Sequence, residues 1–321
     1  MTELAVGLPR VRLGIFPTPL VRAYRLERAL GRSPLLVKRD DLAGFGVAGN
    51  KTRPLEFLLG AACAQGAEVL VTGGGPGSNF CPAAAMAARA LGLACELVVW
   101  GDLGSPNLAL AWAAGARVLP IGTDDREAVD ALVNQLAEQL TASGRPAFAV
   151  PRGGSTALGA VGFALAAVEL ADQLDVLPEV IVLPVGSGGS CAGLLAGLTA
   201  VGLDVPVLGV SVSRPPELIE ARVRELARGC ARLLGTPAPT NQLEIIDARG
   251  YGFGVASVSE RADALLALRT EGMLLDHTYG AETLHAALRG AHSGPVLWWH
   301  TGGLIPAVAA RTSGEEARNA T

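Results

Sequence analysis

Lysine is almost missing from this chain. Of 26 basic residues only Lys38 and Lys51 are lysines, and the other 24 are arginines. Each remaining lysine is therefore a candidate for chemistry that arginine cannot do. Arginine stays protonated at any working pH, whereas lysine can lose its proton, act as a base and condense with an aldehyde. Histidine is scarce as well, with four residues and none at metal-ligand spacing, which argues against a metalloenzyme. The five cysteines (Cys63, Cys81, Cys95, Cys191, Cys230) are odd in number, scattered and without a CxxC pair. They read as buried thiols in a reducing cytosol, with neither a disulfide frame nor zinc. Charged residues make up 17% of the chain and the net charge is −4, so nothing electrostatic favours nucleic acid or an anionic membrane. The longest apolar run, Ala157 to Val168, is too short to cross a bilayer and ends at Glu169. Met1-Thr2-Glu3 shows no basic region followed by an apolar core, so no signal peptide is expected and the location is cytoplasmic.

What is present is apolar residue and glycine. Half of the 321 residues are hydrophobic and 41 are glycine, which suits a globular protein with one large or two ordinary domains. Short apolar runs alternate with helical patterns. Strands are expected at Val69–Thr72, Cys95–Trp100, Arg117–Ile121, Phe148–Val150, Val180–Pro184, Val207–Val210 and Pro295–His300. Helices at Thr52–Gln65, Asn79–Leu91, Pro106–Ala114, Glu127–Leu140, Ala157–Leu174, Cys191–Val201 and Pro216–Ala231 follow the strands or lead into them. Such alternation implies an α/β protein of open parallel sheets with helices on both faces. The segment Phe16-Pro17-Thr18-Pro19-Leu20 reads as extended, and Pro34 to Asp41 as a strand running into a turn.

Lys51 follows Gly44, Gly46 and Gly49 and opens an apolar helical pattern. A desolvated amine at a helix start would have its protonated form disfavoured. A lysine in the first turn of a helix is usually a solvated surface residue, and weighed against the scarcity of lysine the two readings stand level on this motif alone. A phosphate loop of the NTPase type is rejected, because Asn50 separates the last glycine from the lysine.

Ligands of open parallel sheets bind beyond the strand C-termini, and glycine-rich turns stand there. Thr72-Gly73-Gly74-Gly75-Pro76-Gly77-Ser78-Asn79 leads into a helix and forms a plausible carboxylate cradle. Pro151-Arg152-Gly153-Gly154-Ser155-Thr156 is the second turn. Gly186-Ser187-Gly188-Gly189-Ser190, between a strand and a helix, has the form of a phosphate site. It is not a dinucleotide fingerprint, since the third glycine would fall at Cys191. Tight turns alone would explain any one of these. Taken singly, His300, Tyr251 and Tyr279 are packing residues; Tyr251 and Tyr279 are two of only three tyrosines and both lie beside glycines. Together, one reactive lysine, a phosphate cradle, a carboxylate cradle and nearby phenols fit a cofactor with an aldehyde and a phosphate, pyridoxal 5′-phosphate.

Several motifs resemble one family across nearly the whole chain. They are Gly49-Asn50-Lys51-Thr52-Arg53, Ser78-Asn79, Gly153-Gly154-Ser155, Ala192-Gly193-Leu194, Asp276 before Tyr279, and His300-Thr301-Gly302-Gly303. The chain resembles the D-cysteine desulfhydrase and 1-aminocyclopropane-1-carboxylate deaminase family, of the tryptophan-synthase β-like fold. The resemblance implies a large cofactor-binding domain (1–48 and 155–321), a small inserted domain (49–154), a small amino-acid substrate and a homodimer. It implies that Lys51 carries the cofactor and moves the substrate α-proton, and that Asn50 bonds the ring hydroxyl. Ser187, Gly188, Gly189 and Ser190 would bind the phosphate, and Thr301 the pyridine nitrogen. Ser78 and Asn79 would take the substrate carboxylate, with Phe80 and Gly154 in the same cradle. Tyr279 and Tyr251 would be the active-site phenols. Three positions depart from the family pattern. Gly280 stands where the deaminases have Glu, Ala281-Glu282 where Gly-Lys is commoner, and Phe80 where a polar residue is usual. The expected activity is elimination of a β-substituent from a cysteine-like amino acid. The alternatives are ring-opening deamination, a specialised C–S lyase or β-replacement enzyme, and a cofactor-binding protein without turnover.

Overall fold

The computed structural model describes residues 4–312 except Ser33, Asp124 and Tyr251. Tyr251, expected at the site, thus lies outside the described residues. Along the chain, β1 (Leu20–Arg22) and α1 (Tyr24–Leu30) lead to β2 (Leu35–Arg39). Next come α2 (Thr52–Ala64), β3 (Val69–Gly74), α3 (Phe80–Ala90), β4 (Ala94–Val99), α4 (Pro106–Ala113), β5 (Arg117–Pro120), α5 (Ala128–Ala142) and β6 (Ala147–Ala149). The remainder runs α6 (Ala157–Gln173), β7 (Val180–Val185), α7 (Gly189–Ala200), β8 (Val207–Ser211), α8 (Pro216–Leu234), β9 (Leu243–Asp247), α9 (Val258–Glu271), α10 (Gly280–Arg289), β10 (Val296–His300) and α11 (Leu304–Thr312).

The strands form two sheets, ordered β1-β2-β10-β7-β8-β9 and β5-β4-β3-β6. All pairs are parallel except β1 with β2. The fold class is therefore the expected one. Helices cover both faces of each sheet, so a central strand has apolar residues pointing both ways. On β10, Trp299 packs into the core under α6 and α7, while its neighbour Trp298 packs under α9 and α10. Both are essentially inaccessible, and truncating either to alanine would cost about 3–5 kcal/mol. Helices α6 and α7 lie against each other closely. A Cβ at Gly197 would press on the Ala164 carbonyl, so the alanine- and glycine-rich sequence there is a packing requirement.

Strands β1 and β9 are not among the expected elements. Both are sheet edges, and their partly exposed residues give no uniform apolar run to read. Cys63, expected buried, is exposed in the last turn of α2.

A buried ionic network lies below the cleft described next. Arg53 donates to both carboxylate oxygens of Asp40 at 2.8 Å and to Glu169 at 2.9 Å. Lys38 Nζ donates to the Thr18 carbonyl at 2.7 Å and to Gln173 at 2.6 Å, and pairs with Glu169 at 3.3 Å. These bonds anchor the start of α2 to β2 and α6, just beyond Lys51.

Candidate active site

The turns beyond the C-terminal ends of β2, β3, β6, β7 and β10 open onto one cleft of about 500 Å³. Lys51, Asn50, Ser78, Asn79, Phe80, Gly154, Ser187, Gly188, Gly189, Ser190, Tyr279 and Thr301 all line it. Residues spread along the chain from Asn50 to Thr301 thus converge.

Lys51 ends a short 3₁₀ turn, Gly49–Lys51, that leads into α2. The turn packs on the end of β10, where the Asn50 N–H donates to the Thr301 carbonyl at 2.9 Å. A Cβ at Gly49 would lie 2.5 Å from that same carbonyl oxygen. Burial lowers the Lys51 pKa to about 8. No ion pair or hydrogen bond from another described residue meets its amine. An amine removed from water and left without a counter-charge is poised to react at neutral pH.

Facing it is the loop Gly186–Ser190 at the start of α7. Gly188 has φ 95°, a conformation only glycine adopts readily. Ser155 Oγ lies 2.6 Å from Ser187 Oγ and accepts the Gly189 N–H at 3.1 Å. From outside, Arg214 donates to the Gly186 carbonyl at 3.2 Å and Arg222 to the Ser187 carbonyl at 3.1 Å. Helix N-terminal amides, two serines and flanking guanidinium groups favour a phosphate dianion. The site residues therefore fit a phosphorylated aldehyde, with the amine and the anion cradle lining one cleft.

The third element is the start of α3. Asn107 Nδ2 donates to Asn79 Oδ1 at 3.0 Å, which occupies that oxygen and leaves the Asn79 NH₂ group to donate elsewhere. The Ser78 hydroxyl accepts the Cys81 N–H at 3.4 Å and keeps its own proton available. Phe80 lines the cleft with only 1% exposure, and its ring fills the space a Cβ on Gly154 would need. Its side chain belongs chiefly to the small sheet's core.

Tyr279 lies against the glycine loop, with a Cβ on Gly186 placed 3.3 Å from its ring. Burial raises its phenol pKa, so the hydroxyl stays protonated. Asp276 accepts the Gly280 N–H at 2.8 Å and the Tyr279 N–H at 3.2 Å, fixing the start of α10. A side chain at Gly280 would meet Asp276 Oδ1 at 3.0 Å and the Leu275 side chain at 3.1 Å, a tight but not forbidden fit. Glu282 is buried and its carboxyl is pushed up to about 9, so it is neutral at pH 7.

Sequence reasoning misses Trp100, Arg214, Arg222 and Phe253, which also line the cleft. Trp100 and Arg214 stand just beyond the ends of β4 and β8, so position after a parallel strand is the available signal. Nothing in the sequence marks Phe253.

A desolvated amine in one cleft with a helix-capped anion cradle, at the strand ends of two sheets, defines an enzyme working through a covalently held phosphorylated aldehyde. The chain belongs to the family of pyridoxal-phosphate dependent enzymes, whose family model matches residues 11–302. It is 34% identical over 307 residues to a Pyrococcus abyssi protein provisionally named 1-aminocyclopropane-1-carboxylate deaminase, covering 92% of each chain. It is 33% identical over 316 residues to a D-cysteine desulfhydrase of Yersinia pestis, covering 92% of this chain and 94% of that one. A crystal structure described as an ACC deaminase homologue superposes with a TM-score of 0.89 at 31% identity, covering 94% of both chains.

Proposed function

We propose that this enzyme is a lyase that removes a β-substituent from a small, cysteine-like amino acid, releasing an oxo acid, ammonia and the leaving group. The single observation carrying this reading is the desolvated Lys51 amine, which has no ion-pair partner among the described residues and lines the same cleft as the Gly186–Ser190 cradle. When bound, pyridoxal phosphate supplies an electron sink conjugated to the substrate Cα. The chain's residues do the rest. Ser78 and Asn79 orient the substrate carboxylate at the start of α3. Lys51 would take the substrate α-proton at its Nζ. Tyr279 and Phe80 wall the cleft and exclude water, while Asn50, Ser187, Ser190 and Thr301 hold the cofactor. The match with relatives named for D-cysteine desulfhydration supports the leaving-group chemistry.

Ring-opening deamination is the second reading, supported by the name of the Pyrococcus relative. The two differ in product, because ring opening gives an oxo acid and no released leaving group. With the main reading we propose a domain division at 49–154, a cytoplasmic location and a homodimer. Segregation of the strands into two sheets supports the division, although α2 packs on helices of both. Among the described residues no helix is long and apolar enough to cross a membrane.

The test is a panel of D- and L-amino acids with β-leaving groups, plus the cyclopropane amino acid, assayed for oxo acid and ammonia. Lys51→Ala should abolish release from whichever substrate turns over. Near-normal turnover in that variant would overturn the assignment.

A further inference from the structure

Phe253 stands at the open end of the cleft, on the segment joining β9 to α9. Gly250, Gly252 and Gly254 around it have φ of 34°, 126° and 84°. Other residues rarely adopt such angles, so glycine determines the path of this segment. That path brings Phe253 from the six-stranded sheet to the carboxylate cradle of the smaller one. Its ring meets Tyr279 edge to face, with centroids 6.0 Å apart at 83°. On the other side, a Cβ on Gly77 would lie 3.4 Å from the same ring. One side chain thus touches both the cleft phenol and the residue preceding Ser78.

The ring is nevertheless 49% exposed. A phenylalanine left half in water forgoes much of its burial free energy, which an apolar ligand group covering it would recover. Trp100 bounds the cradle in the same way, its ring 2.6 Å from where a Cβ on Gly75 would stand. Two aromatic rings therefore flank the turn proposed to hold the substrate carboxylate.

We propose that Phe253 is a specificity-determining residue, a wall that limits the length of the side chain on the substrate Cα. This rests on the reading of the cleft as an amino-acid site. With the carboxylate at Ser78–Asn79 and the amine toward Lys51, a substrate side chain directed to the cleft mouth meets the Phe253–Tyr279 wall. A thiol, a small thioether or a short alkyl group fits beneath it. A longer chain collides with the ring.

The test is equilibrium binding of unreactive straight-chain amino acids to the holoenzyme. Alanine, 2-aminobutyrate, norvaline and norleucine of both hands are titrated against the cofactor absorbance, so the readout does not require turnover. The wild type should lose about tenfold or more in affinity once the chain exceeds a limit, since a collision with a ring braced by Tyr279 and the Gly77 turn outweighs the gain per methylene. Phe253→Ala should move that limit by one or two methylenes, and Phe253→Trp should move it the other way. The opposite shifts distinguish a wall from a general loosening of the segment. Identical length profiles in wild type and both variants would overturn the role of Phe253 and leave the amino-acid reading intact. A wild type whose cofactor responds to no amino acid would overturn both.

Discussion

Asn50 Nδ2 donates to Ser190 Oγ at 3.1 Å, joining the turn that carries Lys51 to the loop that opens α7. Because Asn50 N–H also holds the Thr301 carbonyl at 2.9 Å, three segments far apart in sequence meet at one residue. The bond sets the span between the amine and the phosphate cradle, which is the span a bound cofactor must match. Asn50→Ala and Ser190→Ala should each weaken cofactor affinity by about fivefold or more, the shared bond being worth about 1 kcal/mol net and each side chain's own contact with the cofactor adding to it. The double variant should be less damaging than the product of the two singles, because one bond is lost in each. Cofactor titration of the apoprotein measures this, and strictly multiplicative losses would show that the Asn50–Ser190 bond does not preorganise the site.

The two lysines should behave oppositely. Lys38 is fully buried and holds Thr18, Gln173 and Glu169. Lys38→Met leaves Glu169 with Arg53 as its remaining cation and removes the lysine's bond to the Thr18 carbonyl, so the cost should stay below the ~3–5 kcal/mol of a buried charge left wholly unpaired. Its unfolding midpoint should fall, whereas Lys51→Ala should keep stability and lose covalent cofactor capture. Capture by the wild type should also depend on pH. With the Lys51 pKa lowered to about 8 by burial, the neutral amine is the minor form below that value. The capture rate should rise about tenfold per pH unit toward pH 8 and level off above it. A rate still climbing at pH 10 would mean the amine is not desolvated.

The scarcity of lysine makes Lys51 legible in the sequence, but it marks Lys38 equally. Only burial and partners separate the two. Lys38 lies among a carbonyl, an amide and a carboxylate, while Lys51 faces the open cleft. The glycine turns are legible for a related reason. A parallel sheet places its strand ends together, so Gly73–Ser78, Gly153–Ser155, Gly186–Ser190 and His300–Gly303 have to converge once the alternation is read. Trp100, directly before Gly101, and Arg214 are accessible to the same logic, although no glycine turn draws attention to Arg214. Phe253 is not, since it reaches the cleft through the path of a loop, and no periodicity encodes that. Strands β1 and β9 escape because edge strands need only one partner and tolerate half-exposed residues.

His300 ends β10 directly before Thr301, and its ring stacks on Trp298 with centroids 4.9 Å apart. It is 1% exposed, and burial lowers its pKa to about 4 despite Asp41, 3.6 Å away. The folded protein thus holds this imidazole neutral where the unfolded chain, near the ordinary 6.5, would protonate it. The sign follows directly. Below pH 6.5 the unfolded state binds the extra proton, so stability present above that pH is lost progressively as pH falls toward 4. The full difference corresponds to about 3 kcal/mol. His300→Gln, which keeps a polar planar group and removes the titration, should flatten the stability profile between pH 6.5 and 4 in denaturant unfolding. The Gly302 N–H, 3.4 Å from His300 Nδ1, would still find an acceptor in the glutamine amide, so the turn carrying Thr301 should keep its shape. An unchanged slope across that window would place the acid sensitivity elsewhere, with buried Asp276, held near 6 by desolvation, excluded by its sign. A carboxyl raised on folding favours the native state at low pH and loses that contribution as pH rises, the reverse of what His300 requires.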